Sequence, residues 1–333
     1  MTKVSWGILS TAKIGLERVI APMQKAQSVS IDAIASRDLE KARAAAAQLG
    51  IAKAFGSYDE LLADPGIEAV YIPVPNNMHV NWTERALTAG KHVLVEKPLG
   101  MNADEASRLI AARERSGKVV IEAFMVRYHP QWIKVRELIA SGRIGEVRAV
   151  QAHATYRNMD PQNIRNRADV GGGGVMDIGC YAILLTRLAF RSEPRRVISL
   201  VDRDPGMGTD RHASAILDFP TGQATFFCST QVARAQRVRI FGTEGSIDVE
   251  IPLNAPDDRP TRIVVDDGRD VLGTGAEVIA FPPCNQYTLQ GEAVSRMIRD
   301  GTPPEMTLED SVANMRVIDA VFHSERSGSW ESI

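Results

Sequence analysis

Hydrophobic residues in the first 125 positions fall into short runs that are separated by amphipathic stretches. The runs are apolar and rich in β-branched residues, and each predicts a buried strand: 4–9, 29–35, 69–74, 92–96 and 119–123. Between them, apolar residues recur at helical spacing over 13–27, 38–49, 80–89 and 103–116. Strands that are apolar on both faces and joined by helices form parallel sheets. The pattern therefore predicts a doubly wound α/β domain at the start of the chain.

The pattern changes after Gly142, where strands follow one another with few helices between them. The strand candidates are 147–156, 197–202, 212–219, 223–231, 237–242, 246–251, 261–266 and 277–281. The helix candidates are 174–190, 286–299 and 308–325. Such an order is typical of an α+β domain with a large, mostly antiparallel sheet. Because 333 residues exceed the usual size of one core, we predict two domains, 1–124 and 125–333.

Composition and charge exclude several classes of function. Hydrophobic residues make up 44% of the chain, and 39 Lys and Arg stand against 41 Asp and Glu. Such a chain is globular, and it has no basic excess for a nucleic acid or an anionic membrane, so we expect neither partner. The three cysteines are far apart and the histidines lack ligand spacing, so no metal is predicted. With no leader segment before the first strand, we expect a cytoplasmic protein.

The turn after the first predicted strand resembles a dinucleotide fingerprint. Its three small positions are occupied by Ser10, Ala12 and Gly15 in place of G-x-G-x-x-G. Such a turn brings backbone amides close to a pyrophosphate at the start of a helix. We therefore assign the turn to cofactor binding, with these members: Gly7, Ser10, Thr11, Ala12 and Ile14. Other strand-to-helix turns have the same pattern, so the motif alone leaves this open.

Ser36 and Arg37 follow the second predicted strand, where an NAD enzyme places a carboxylate for the ribose hydroxyls. An arginine at this position accommodates a 2′-phosphate. We predict that both residues bind the cofactor and that the cofactor is NADP rather than NAD. The alternative is a solvated arginine at the start of a helix.

Two further segments carry candidate chemistry. The glycine run 171–174 precedes a helix on which Asp177 and Tyr181 are four residues apart and so share a face. The predicted strand 92–96 ends at Glu96, and Lys97 and Pro98 follow, which places Lys97 at the carboxyl edge of the sheet where ligands bind. The alternatives are a capping Asp with a core Tyr in the first segment, and a salt bridge at the sheet edge in the second.

Together these motifs resemble the family of glucose–fructose oxidoreductase, inositol dehydrogenase and related NAD(P)-dependent sugar dehydrogenases (Gfo/Idh/MocA). The landmarks are the first turn, 75–79, 96–98, 141–145 and 171–181, and they cover nearly the whole chain. Inositol-type members have His where this chain has Tyr181. The tyrosine, with 163–165 and 285–287, resembles the branch of NADP-dependent xylose dehydrogenase, dihydrodiol dehydrogenase and glucose–fructose oxidoreductase. Ser10 and Ala12 depart from the usual glycines and leave the pyrophosphate geometry open.

The resemblance implies an N-terminal Rossmann domain and a set of further cofactor contacts. These are Pro75, Asn76, His79, Glu96, Lys97, Arg165 and Tyr287. It also implies a homo-oligomer, a dimer or tetramer, in which two antiparallel sheets pack together. Apolar strand residues that fit such a contact are Ala215, Leu217, Phe227, Val238 and Ile240.

Three residues are predicted to be catalytic. A free tyrosine has a pKa near ~10, and an adjacent ammonium lowers it. We therefore assign Tyr181 as the acid/base, Lys97 as its electrostatic partner and Asp177 as an orienting group. The predicted function is NADP-dependent hydride transfer at a CH–OH or C=O carbon of a sugar or polyol. The alternatives are a trans-dihydrodiol dehydrogenase, a keto- or anhydro-sugar reductase, and a non-catalytic NADP-binding regulator.

Overall fold

The computed structural model describes residues 2–304 and 306–333. Two compact units divide the chain: Met1–Met125 with Asn285–Val312, and Val126–Cys284 with Ala313–Ile333. The strands, in chain order, are β1 (Val4–Leu9), β2 (Val29–Ala35), β3 (Lys53–Phe55), β4 (Ala69–Ile72), β5 (His92–Val95), β6 (Val120–Glu122), β7 (Val147–Arg157), β8 (Arg196–Arg203), β9 (Asp210–Phe219), β10 (Gly222–Ser229), β11 (Gln231–Gly242), β12 (Ser246–Val249), β13 (Thr261–Asp266), β14 (Ala276–Phe281) and β15 (Glu331–Ser332). The helices are α1 (Ile20–Met23), α2 (Leu39–Leu49), α3 (Tyr58–Ala63), α4 (His79–Thr88), α5 (Ala103–Ser116), α6 (Pro130–Ala140), α7 (Cys180–Phe190), α8 (Gln286–Asp300) and α9 (Leu308–Ser327). Single π-helical turns, Gly15–Val19 and Val175–Gly179, lead into α1 and α7.

The first unit is built on a six-stranded parallel sheet in the order β3-β2-β1-β4-β5-β6. The order reverses between β1 and β4, and ligands of open α/β sheets bind at the carboxyl ends of the strands beside such a reversal. The turn after β1 and the loops after β4 and β5 therefore lie at the ligand-binding edge. Strand β3 was not predicted, because it has only three residues and none of them is buried.

Helix caps in this unit follow from short polar residues. Asp38 accepts hydrogen bonds from the amides of Glu40 and Lys41 at the start of α2. Ser57 Oγ accepts from the amide of Glu60 at the start of α3. These caps fix where the helices leave the sheet.

Residues 285–312 cluster with the first unit, although we had placed them in the second domain. The reason is packing. The indole nitrogen of Trp6 in β1 donates to Ser295 Oγ of α8 at 3.0 Å, and Glu292 accepts from the amide of Ser28. At Gly291, a Cβ would lie 3.0 Å from Met23 Cγ of α1. A helical pattern in a sequence does not say which core the helix covers.

The second unit contains a nine-stranded sheet in the order β14-β13-β12-β11-β7-β10-β9-β8-β15. Its neighbouring pairs are antiparallel apart from the parallel pair β7 and β10. Helix α7 packs against β7 and β10. The predicted fold class, a Rossmann parallel sheet followed by an α+β domain with a mostly antiparallel sheet, is confirmed.

The segment Ala168–Phe190 is long and apolar enough to cross a membrane by those two measures alone. In the structure, 89% of its 18-residue apolar window is buried inside the protein. Its apolar character is therefore accounted for by the core of the second unit.

Candidate active site

The turn after β1 has a conformation that normally requires glycine. Ser10 has φ 140°, and its Oγ accepts a 2.9 Å hydrogen bond from the amide of Ala12. The carbonyl of Ala12 then accepts from the amide of Leu16, which starts the helical segment. Thr11, Ala12 and Ile14 are half-buried in this turn. A serine hydroxyl therefore supports the turn that glycines support in the usual fingerprint.

Gly7 lies earlier, within β1, and the structure explains it by packing. A Cβ at this position would lie 2.5 Å from Leu61 Cδ2 of α3 and 3.2 Å from Ile67. The glycine lets α3 lie directly on the sheet, so the residue needs no cofactor to account for it.

Ser36 and Arg37 at the end of β2 differ sharply in their surroundings. Ser36 is buried, and its Oγ accepts from the amide of Asp38. Arg37 is exposed, and within the described chain its guanidinium has no ion-pair or hydrogen-bond partner. The nearest carboxylate in sequence, Asp38, caps α2 instead. An unpaired guanidinium thus stands where a ribose 2′-substituent is expected.

The loop after β4 contains the predicted contacts Pro75 and Asn76, followed by His79. Pro75 precedes a 3₁₀ turn, Asn76–Met78, and both predicted contacts are half-buried. His79 is fully buried, with Nδ1 2.7 Å from the carbonyl oxygen of Pro98 and Nε2 2.8 Å from that of Val74. Burial lowers the pKa of His79 to about 4.

These contacts change the interpretation of His79. We had assigned it to cofactor binding, but its ring has no exposed surface to offer a cofactor. Instead it connects the loops that follow β4 and β5, and Pro98 is the residue directly after Lys97.

Glu96 and Lys97 follow β5 at the ligand-binding edge. Glu96 Oε1 accepts a 2.5 Å hydrogen bond from the hydroxyl of Tyr71, which is buried in β4. Lys97 is half-buried and precedes a cis peptide bond to Pro98. A buried phenol, rather than a surface salt bridge alone, therefore holds the carboxylate beside Lys97.

The glycine run 171–174 packs against its own chain. A Cβ on Gly172 would lie 2.6 Å from the carbonyl oxygen of Arg165, and Gly173 has φ 124°. The amides of Gly172 and Gly173 donate to the carbonyls of Arg167 and Arg165 at 2.9 and 2.8 Å. These two amides of the run are therefore used within the chain. The glycines bring the loop that contains Arg165 against the start of the helical segment.

Asp177 lies on the π-helical turn before α7, so it is not a helix cap. Its Oδ2 accepts a 2.6 Å hydrogen bond from the hydroxyl of Tyr156 in β7 and a 3.0 Å bond from Arg165 Nε. The Asp177 side chain is 13% exposed. The structure thus brings together two predicted residues, Asp177 and Arg165, and adds Tyr156, which the sequence analysis missed.

Burial and the adjacent carboxylate of Asp177 raise the pKa of Tyr156 well above the usual range of a phenol. Tyr156 is therefore a hydrogen-bond donor and not a base. Its only sequence signal was its place at the end of a strand, which gives no partner.

Tyr181 lies on the first turn of α7 and is 5% exposed. The backbone before it is held by Asn314, whose amide donates to the carbonyl of Cys180 at 3.2 Å. Tyr287, a predicted cofactor contact, lies on the first turn of α8 and packs against the core of the first unit. Across the described ranges, no three His, Cys, Asp or Glu side chains are grouped as a metal site.

Comparison with known proteins places the chain in a family. Residues 4–124 match the family model described as an oxidoreductase family with an NAD-binding Rossmann fold, and 132–248 match the GFO/IDH/MocA C-terminal domain. An uncharacterised oxidoreductase of Rhizobium meliloti is 48% identical over all of both chains. An NADP⁺-dependent D-xylose 1-dehydrogenase of Haloferax volcanii is 37% identical over 97% of this chain and 98% of the relative.

A solved structure shows the same architecture. The 3-ketoreductase of Actinomadura kijaniata, in complex with NADP and TDP-benzene, matches with a TM-score of 0.89 and 27% identity. The match covers 97% of this chain and 98% of that one. These findings confirm the resemblance, and the relatives are named as oxidoreductases and dehydrogenases of sugars and diols. The chain is a member of the Gfo/Idh/MocA family, an oxidoreductase with an NAD(P)-binding Rossmann domain.

Proposed function

We propose that the protein is an NADP-dependent oxidoreductase that transfers hydride between nicotinamide and a CH–OH or C=O carbon of a sugar or polyol. The observation that carries the proposal is the arrangement around Asp177, which Tyr156 and Arg165 fix one turn before Tyr181. A carboxylate held by two donors and partly open to solvent is suited to orient a substrate hydroxyl. The names of the xylose dehydrogenase and the ketoreductase support the same class of chemistry.

Tyr181 is the proposed acid/base. Of the two tyrosines on this part of the second unit, Tyr156 is held as a donor by a carboxylate, which leaves Tyr181 for proton transfer. Lys97 supplies a positive charge that favours the phenolate and a donor for hydroxyl groups.

Solved variants of the Actinomadura ketoreductase support this pair by analogy. One variant replaces a lysine with alanine and another replaces a tyrosine with phenylalanine. The two replaced residues are separated by the same number of positions as Lys97 and Tyr181. The spacing makes them the natural counterparts of the proposed catalytic pair.

The residues after β1 and β2 fit NADP. The turn at Ser10 would hold the pyrophosphate with backbone amides, and Arg37 would hold the 2′-phosphate. Arg37 fits this role because it is exposed and, among the described residues, unpaired. When bound, the nicotinamide supplies or accepts the hydride, and the residues of this chain position it and move the proton.

Two enzymatic alternatives share this machinery and differ in substrate. Relatives include trans-1,2-dihydrobenzene-1,2-diol dehydrogenases and dTDP-sugar 3-reductases. A non-catalytic NADP-binding regulator is the alternative from another class. It would bind NADP without using Tyr181, so phenylalanine at that position would leave it unaffected.

The proposal is tested by the absorbance of reduced nicotinamide while aldoses, polyols, ketoses, a dTDP-keto sugar and dihydrodiols are offered with NADP⁺ or NADPH. We expect turnover with a free sugar or polyol, and loss of turnover but not of NADP binding in Tyr181→Phe. Turnover only with a dihydrodiol or a nucleotide sugar would favour an enzymatic alternative. NADP binding with no turnover on any substrate would favour the regulator.

We further propose a homo-oligomer in the cytoplasm, formed through the outer face of the nine-stranded sheet. Exposed apolar residues on its strands include Leu200, Ile216, Phe227, Val232 and Val278, and Leu200 is 81% exposed. Of the residues we had named for this contact, Phe227 is exposed, whereas Ala215, Leu217, Val238 and Ile240 are buried inside the unit. A monomer in sedimentation at micromolar concentration would contradict the proposal.

A further inference from the structure

A buried carboxylate lies against the start of the helical segment that carries Asp177 and Tyr181. Asp210 is the first residue of β9 and is 1% exposed. Its Oδ2 accepts a 2.6 Å hydrogen bond from the amide of Val175, the first residue of that segment. Nothing in the sequence pattern indicates this contact, since 35 positions separate the two residues.

The other carboxylate oxygen is pressed against the glycine run. A Cβ on Gly173 would lie 1.9 Å from Asp210 Oδ1, and a Cβ on Gly174 would lie 3.3 Å from Oδ2. Glycine at 173 is therefore required by Asp210 as well as by its own φ of 124°. The carboxylate and the glycines fit each other and fix the path of the chain into the helix.

A carboxylate such as Asp210 loses more solvation free energy on burial than a neutral helix cap does. Burial raises the pKa of this carboxyl to about 7, although the positive charge of Arg203 opposes the shift. Serine or asparagine would cap the same amide with less loss of solvation. A buried acid in this place is better explained by the need for a short, rigid contact than by stability alone.

We propose that Asp210 is a positioning residue that sets the place of Asp177 and Tyr181 for the reaction. The inference rests on the proposed function for those two side chains. Asp177 is two residues beyond Val175 on the same π-helical turn, and its partners Tyr156 and Arg165 lie on other segments. A shift at the start of the helix therefore moves Asp177 away from both donors and moves Tyr181 with it.

The test compares Asp210→Ala and Asp210→Asn with a matched control, Asp204→Ala. Asp204 lies in the connection that leads from β8 to β9, is 9% exposed, and accepts from the amides of Gly206 and Met207 at 2.8 and 3.0 Å. Both alanine variants remove a buried carboxylate that holds backbone amides. Of the two, only the carboxylate of Asp210 holds the helical segment.

We expect Asp210→Ala to lower kcat by about 10- to 100-fold, because small misplacements of reacting groups cost about that much. Its Kd for NADP should not change, since the proposed cofactor residues lie mainly in the other unit. Asp210→Asn should recover most of kcat, because its amide oxygen still accepts from Val175. Asp204→Ala should lower the melting temperature and leave kcat unchanged, with all assays run well below the lowest melting temperature.

Equal values of kcat for Asp210→Ala and Asp204→Ala would overturn the inference, and so would an Asp210→Asn variant as impaired as Asp210→Ala. If Asp210→Ala does not fold, Asp210→Glu and Asp204→Glu take its place. The longer side chain should lower kcat at 210 and not at 204, and equal kcat values would again overturn the inference. Tyr181→Phe, assayed alongside, decides the proposed chemistry separately: full turnover there contradicts the proposed function whatever the Asp210 variants do.

Discussion

The hydroxyl of Tyr156 donates a 2.6 Å hydrogen bond to Asp177 Oδ2. This bond gives Tyr156 and Tyr181 different roles in the proposed reaction. The phenol of Tyr156 resists ionisation, because the carboxylate of Asp177 would repel the phenolate. Tyr181 lies one turn further along the chain from Asp177, on the first turn of α7. The division of roles leads to the first prediction.

Tyr156→Phe removes a donor to Asp177 and keeps the ring. We expect kcat/KM to fall about ten- to a hundredfold, since hydrogen bonds to charged groups contribute about 1.5–3 kcal/mol. The pH dependence of kcat should keep its shape, because Tyr156 does not titrate in the working range. Steady-state kinetics across pH, with Tyr181→Phe in parallel, is the measurement. A dead Tyr156→Phe beside an active Tyr181→Phe would reverse the roles of the two residues.

Lys97→Met removes the charge that is proposed to favour the phenolate of Tyr181. We expect turnover to fall and the pKa assigned to Tyr181 in the pH–rate profile to move upward, because a phenol without a cationic neighbour ionises at higher pH. Lys97→Arg is the control, since it retains the charge, and its profile should stay close to that of the wild type. An unchanged profile in Lys97→Met would mean that the lysine acts on the substrate alone.

Arg37→Ala tests the choice of cofactor. The wild type should bind NADP more tightly than NAD, and the variant should lose about ten- to a hundredfold of that preference, the usual contribution of a charge-assisted pair. Arg43→Ala is the matched control, because Arg43 lies on α2, is exposed and pairs with Glu40. Titration of both nucleotides against the three proteins gives the answer. Equal dissociation constants for NADP and NAD in the wild type would show that Arg37 has no such role.

Two buried histidines, His79 and His129, and the half-buried His92 make the stability of the protein depend on pH. Burial lowers the pKa values of His79, His92 and His129 to about 4, from about 6.5 in an unfolded chain. The unfolded chain therefore takes up protons that the folded chain does not, and the free energy of unfolding falls as the pH drops from about 6.5 to about 4.

The contribution of one histidine can be isolated with His92→Asn, which keeps an acceptor for the amide of Val119. Its free energy of unfolding should fall less steeply with decreasing pH than that of the wild type, by close to one proton. Asp210 acts in the opposite direction, because its pKa is raised, but it is common to both proteins and cancels in the comparison. Parallel curves from urea unfolding at several pH values would contradict the prediction.

The sequence predicted the sheets and helices well because a strand buried on both faces gives a continuous apolar run, and a helix or strand buried on one face gives a periodic pattern. It indicated Lys97 and Asp177 as candidates because they stand beside proline and glycine residues that mark the ends of elements, and the family resemblance added Arg165. It did not find Tyr156 or Asp210, since each acts through a contact with a distant segment that has no periodic trace. The family resemblance placed His79 among the cofactor contacts, whereas its buried ring lies between two carbonyl oxygens, and a motif does not show which of these a side chain faces.

The contact between Trp6 and Ser295 also has a consequence for how the protein is made. The two residues are 289 positions apart, so the indole of β1 leaves the ribosome long before its partner exists. During synthesis, the parallel sheet of the first unit lacks α8 until Val126–Cys284 of the second unit has been translated. Assembly of the first core therefore ends only after α8, which begins at Gln286, has been translated. A nascent chain that stops before α8 leaves Met23 and Val29 without the packing that Gly291 of α8 provides.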